Sequence, residues 1–187
     1  PFTGGLGLEK AGVQMDERGR VQVDAQWRTT AEGVWAVGDL IAGPMLAHKA
    51  EAEGIAAVER MVGKAGLVNA DAIPGVVYTH PELASVGLTE EAAKAGDYEV
   101  AIGTYQFRAN ARAHAMGEID GLVKIVAEAQ TDRLLGLHIL GAQASSLIAE
   151  GVLALEFSAS VEDIARTVHA HPALSEVIKE AAWSLAE

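Results

Sequence analysis

Near the end of the sequence two histidines, His169 and His171, stand two apart, Pro172 follows the second, and Glu176 comes five positions after it. Proline pushes the residue before it out of the α region, so His171-Pro172 reads as an extended or turn dipeptide. The run from Ser175 to Leu185 then reads as a helix. If that helix starts near Leu174, Glu176 lies in its first turn and can reach back to the imidazole. A histidine held by a carboxylate is oriented, fixed in one tautomer and made more basic, which is the arrangement a general acid/base needs. Two other readings use the same residues. One is a packed, hydrogen-bonded histidine near a helix start. The other is a metal site, since His-x-His followed by Glu resembles the first half of a cupin ligand set. That set wants its ligands on strands and one more histidine downstream. Pro172, the helix and the lack of a later histidine oppose it. No metal is expected.

The elements that must position these groups are bounded by composition. Half of the 187 residues are hydrophobic, ample for a buried core in one or two domains. A net charge of −12 makes nucleic acid an unsuitable partner and a basic protein surface a suitable one. The sequence has no cysteine, so it has neither a disulfide framework nor thiol chemistry of its own. No apolar run approaches membrane-spanning length, and no membrane partner is expected. The opening Pro1-Phe2-Thr3-Gly4-Gly5 is not a signal peptide and reads as the middle of a longer sequence.

In the first third, Arg20–Val23 alternates polar and apolar residues as a strand does, and Val34–Val37 is a short apolar strand ending in Gly38-Asp39. A carboxylate placed there suits hydroxyl recognition on a sugar or ribityl chain, because ligands of α/β folds lie outside strand ends. The ordinary meaning of Gly-Asp is a turn. Gly43-Pro44 is a turn as well, and Met45–Met61 has the pattern of a strong helix. The N–H groups of its first turn lack intrahelical partners and carry the positive end of the dipole. A flavin edge that gains negative charge on reduction would be stabilised there. Strand, Gly-Asp, loop and helix together describe the second half of a flavin site, with a ligand-free strand–loop–helix unit as the alternative.

Gly63 to Pro74 is polar and turn-prone, and the expected domains are 1–70 and 71–187. Strands are expected at Gly75–Tyr78, Leu83–Leu88, Tyr98–Phe107, Leu122–Ala127 and Leu134–Leu140, the last two as an antiparallel hairpin. Thr89 is placed to cap a short helix. Helices follow at Ala144–Ser158, from a capping-box-like start at Ser160, and at the C-terminus. Strands first and helices afterwards indicate an α+β domain with an antiparallel sheet and flanking helices.

Five stretches also resemble a known family. They are Val34-Trp35-Ala36-Val37-Gly38-Asp39-Leu40, the run Gly43 to Ala50, Tyr78-Thr79-His80-Pro81-Glu82, the run Thr131 to Gly141, and the run Ile164 to Glu176. In this order, and over almost the whole sequence, they resemble the C-terminal portion of the flavin-dependent pyridine-nucleotide disulfide oxidoreductases. The form His169-Ala170-His171-Pro172 favours the branch that oxidises dihydrolipoamide; glutathione and mercuric reductases are similar more loosely.

The resemblance implies roles. His171 would be the base that deprotonates dihydrolipoamide, with Glu176 as its partner. Asp39 would bind the ribityl chain of FAD, and Met45, Leu46, Ala47 and His48 would lie along the flavin. Residues 71–187 would form the interface domain of a homodimer, preceded by the end of an α/β FAD- and NAD-binding region, and His171 would serve the disulfide of the other subunit. The implied reaction is NAD-dependent oxidation of dihydrolipoamide carried on lipoyl domains. The implied partner is the subunit-binding domain of the acyltransferase in a 2-oxo acid dehydrogenase complex. The implied location is the cytoplasm of a bacterium or the mitochondrial matrix of a eukaryote. The family's cysteine pair and both Gly-rich dinucleotide motifs are missing, and Val168 stands where many relatives have cysteine. Pro1 to Gly5 is similar to the tail of the family's NAD domain. The sequence therefore reads as a fragment, expected to be inactive alone. A non-catalytic dimerisation and docking module is the reading from another class.

Overall fold

From Leu134 to Gly141 the sequence has one polar side chain, His138, and such a run fits a strand covered on both faces. It becomes the middle of the sheet. The computed structural model describes residues 1–185, in two units, Pro1–Val68 and the part from Asn69 onward.

The second unit is a five-stranded sheet of β1 (Gly75–Val77), β2 (Glu82–Gly87), β3 (Val100–Gln106), β4 (Leu122–Glu128) and β5 (Leu134–Gly141), in the order β1-β2-β5-β4-β3. Every neighbouring pair is antiparallel. Ile125 stands opposite Leu137 and Val123 opposite Ile139, so one face presents a row of large apolar side chains. On that face lie α4 (Ala144–Glu156), α5 (Val161–Arg166) and α6 (Glu176–Trp183), burying Ile148, Val161, Ile164, Val177 and Ile178 against the strands. At Gly151 in α4 an added Cβ would lie 2.4 Å from the Leu137 side chain; only glycine lets the helix approach so closely. The other face packs Val126 and Leu135 against Ala93 of the short helix α2 (Glu90–Ala95).

Local signals explain the helix starts. Thr89 accepts from the Ala92 amide, and Ser160 with Asp163 forms a full capping box. The helix α3 (Ala111–Met116), started by the Asn110 side chain and ended by Gly117 in the left-handed region, was not expected from the sequence. It is too short for apolar periodicity to reveal it. The antiparallel sheet with flanking helices is the α+β arrangement expected from the element order.

The first unit corrects two expectations. Arg20–Val23 and Val34–Val37 are not strands; they make single bridges, Met15 to Val21, Val23 to Thr29 and Arg28 to Trp35. The cause is a pair of matched turns. Asp16 takes the amides of Arg18 and Arg20 on one carboxylate oxygen and the Arg20 guanidinium on the other. Asp24 does the same with Gln26 and Arg28. The chain thus reverses before a ladder can lengthen. A small core of Val13, Val21, Ala36 and Ile41 holds these turns, and α1 (Ala47–Met61) follows.

Candidate functional site

Ser175 ends a turn and α6 starts at Glu176, anchored by the fully buried Val177, Ile178, Ala181 and Ala182. The Glu176 side chain is thereby fixed over the turn that precedes it. Its Oε1 lies 2.9 Å from Nδ1 of His171, and its Oε2 accepts the Ala173 amide at 2.8 Å. The Ala173 amide, and then the His171 hydrogen bond, hold the Glu176 carboxyl below the usual carboxylate range. An ionised carboxylate only accepts, so Nδ1 of His171 donates to it, the tautomer that in a neutral ring puts the lone pair on Nε2. The imidazole is 71% exposed while the Glu176 side chain is 20% exposed. The geometry is that of an outward-facing imidazole on a shielded carboxylate. The His171-Pro172 bond is cis.

His169 is placed otherwise. Its ring is 6% exposed, with Nδ1 at 3.0 Å from the Thr167 carbonyl and Nε2 at 2.8 Å from Glu150 of α4. Glu150 had no signal in the sequence, being nineteen residues away in the chain. Among the described residues no group of three or more metal-ligating side chains is gathered, and Glu176 is engaged by His171 and Ala173.

The other expected site residues belong to the first unit. Gly38, Asp39 and Leu40 form a single 3-10 turn rather than a strand end. Gly38 has φ +70, and an added Cβ would lie 2.9 Å from that of Ala50, so the turn sits directly on α1. Its amide donates to Oε2 of Glu53 at 2.7 Å, while Oε1 of Glu53 is 2.8 Å from Nζ of Lys49. Both side chains of this ion pair are buried. The Lys49 ammonium is close to the carboxylate but outside hydrogen-bond alignment. Asp39 itself is exposed. Met45 is exposed, Leu46 is the half-buried N-cap residue, and Ala47 and His48 are exposed in the first turn of α1. That turn has no side-chain cap from Leu46 and no acidic residue of its own, and a helix start carries the positive end of the dipole.

Sequence reasoning passed over Lys49 and Glu53, although a signal was there. With Ala56 and Ala57 they fall at i, i+4, i+7 and i+8, the buried stripe of an amphipathic helix.

The pattern of the family described as "Pyridine nucleotide-disulphide oxidoreductase, dimerisation domain" matches residues 73–182. That described as "Pyridine nucleotide-disulphide oxidoreductase" matches residues 3–54. The chain is 54% identical to the mitochondrial dihydrolipoyl dehydrogenase of Pisum sativum, over 98% of this chain and 37% of that protein. It is 54% identical to the leghemoglobin reductase of Glycine max, over 98% and 35%, respectively. Bos taurus mitochondrial dihydrolipoyl dehydrogenase is 50% identical over 97% of this chain and 36% of its own length. The chain thus spans little more than a third of these curated relatives. Among solved structures, LpdA of Mycobacterium tuberculosis superposes with a TM-score of 0.91 at 32% identity, over 98% of this chain and 40% of that one. A Cu(II) complex of the HOCl-induced flavoprotein disulfide reductase RclA of Escherichia coli gives 0.91 at 27% identity, over 100% and 43%. The domain pattern covers most of the chain and the relatives are well above chance similarity along nearly all of it: the chain belongs to the pyridine nucleotide-disulphide oxidoreductase family.

Proposed function

We propose that this chain is the C-terminal part of a dihydrolipoyl dehydrogenase, the FAD-dependent enzyme that reoxidises protein-bound dihydrolipoamide with NAD. The observation that carries the reading is the His171–Glu176 pair. It holds an imidazole with one nitrogen on an ionised carboxylate and the other facing outward, in a chain half identical to proteins of that name.

In this reading Nε2 of His171 takes a proton from a thiol of dihydrolipoamide, and the thiolate attacks a disulfide supplied by cysteines that this sequence does not contain. Glu176 compensates the imidazolium that forms and keeps the ring in register. Bound FAD would supply the redox link between the dithiol and NAD. The Gly38–Leu40 turn fits such a group: Asp39 is exposed to meet ribityl hydroxyls, and Met45, Leu46, Ala47 and His48 line an uncapped helix start that suits the polar edge of a flavin. Residues 1–70 are then the end of the NAD domain with the FAD-closing segment, and residues 71–187 the interface domain of a homodimer. The matched dimerisation-domain pattern supports that assignment. The partners are lipoyl domains and the basic subunit-binding domain of an acyltransferase, which the charge of −12 favours. No helix among the described residues is long and apolar enough to cross a membrane. The names of the mitochondrial relatives support the matrix as location in a eukaryote; a bacterial protein would be cytoplasmic.

The test is lipoamide-dependent NAD reduction. The longer protein containing this chain is expected to show a flavin absorption band and turnover that His171→Gln suppresses. The isolated 187-residue chain is expected to show none. Turnover by the isolated chain would overturn the fragment reading, and a flavin-free source protein of this length would favour the non-catalytic module instead.

A further inference from the structure

His169 lies two residues from the proposed base, yet its environment differs in kind. Both of its ring nitrogens are engaged, Nδ1 at 3.0 Å from the Thr167 carbonyl and Nε2 at 2.8 Å from a Glu150 carboxylate oxygen. Thr167 caps α5, its amide donating to the Asp163 and Ile164 carbonyls and its hydroxyl to Asp163. Glu150 sits on α4. Leu153, Ala154, Phe157 and Ile164 line the same pocket as these two anchors. The ring therefore ties the end of α5 to α4 at the entry of the turn, and Glu176 closes the same turn at its exit through Ala173.

We propose that His169 is a positioning residue, its ring held between Glu150 and the Thr167 carbonyl, which fixes the turn that presents His171. The proposal rests on the reading of His171 as the base. The charged groups around the ring are Glu150 on α4, Asp163 on α5 and Glu176 on α6; Asp163 is already committed to the Ser160 capping box.

The experiment uses the complete flavin-loaded enzyme and follows its two half-reactions separately by rapid mixing. His169→Gln keeps a donor for Glu150 but cannot also reach the Thr167 carbonyl. It is expected to slow dithiol-to-disulfide transfer by about 10- to 100-fold, the scale of a small misplacement of a reacting group. Flavin reduction by NADH should hold its rate. Glu150→Gln, on a partly exposed side chain that retains an acceptor, should slow the same step by less, and the double variant should be no worse than His169→Gln, as for two members of one link. Equal slowing of both half-reactions, or strictly additive effects, would overturn the proposal. A wild-type enzyme with no dithiol half-reaction would instead sink the functional reading beneath it.

Discussion

Glu176 holds the Ala173 amide on one carboxylate oxygen and the His171 imidazole on the other. The backbone contact fixes the carboxylate, and the carboxylate fixes the imidazole. Replacing His171 with Gln or Ala in the complete enzyme should slow the dithiol half-reaction by roughly 10²- to 10⁴-fold, about 3–5 kcal/mol of barrier. Glu176→Gln should affect the same step less, since an amide oxygen still accepts while the charge is lost. NADH reduction of the flavin, which takes no proton from dihydrolipoamide, is the internal control. A normal dithiol rate in His171→Gln would remove the base from this position.

Glu53 makes a specific demand on the Gly38–Leu40 turn. Its carboxylate is the acceptor for Gly38 and the counter-charge for the buried Lys49. Glu53→Ala strands a buried ammonium and should cost about 3–5 kcal/mol, seen as a lower thermal midpoint and loss of FAD on gel filtration. The double variant Lys49→Met, Glu53→Gln keeps an acceptor for Gly38 and removes both charges, so it should recover most of the midpoint. If FAD retention fails to follow the midpoint across these variants, the turn does not shape the flavin site.

Acid should reveal Glu90. Hydrogen bonds from Lys124 and then Lys94 lower its pKa from 4.5 to about 2. A depressed carboxylate stabilises the fold at pH values above 4.5, and that contribution is lost as pH falls from 4.5 toward 2. Thermal midpoints of the wild type and Glu90→Gln should therefore differ near neutrality and converge in that acid window. Parallel curves throughout would count against the Lys124–Glu90–Lys94 link.

The acidic surface has a kinetic signature. If a basic subunit-binding domain docks on a chain of net charge −12, association should slow and affinity fall as salt rises, with screening over about 8 Å at physiological ionic strength. Titration calorimetry at low and high salt checks it, and a flat profile would contradict an electrostatic dock.

What the sequence made legible depended on the range of the interaction. The β4–β5 hairpin, the Thr89 and Ser160 caps and the reach of Glu176 back to His171 are encoded within a few residues, so periodicity and capping chemistry suffice to find them. The Gly38–Asp39 turn was expected at a strand end, but the Asp16 and Asp24 turns reduce that region to single bridges, a competition invisible to an alternation pattern. Glu150 meeting His169 requires α4 and the α5 exit to be side by side, which only the packed sheet decides. Residue type alone could not separate His169 from His171; burial does.

The outward-facing His171, 71% exposed in a chain without cysteine, has a genetic consequence. In the proposed homodimer each base works on sulfurs belonging to the opposite subunit. An allele lacking His171 and an allele lacking the redox cysteines, each silent when expressed alone, should then complement one another. Every mixed dimer would retain one complete centre, assembled from the sound half of each copy. Co-expression of the two defective proteins would turn the position of a single imidazole into a growth phenotype.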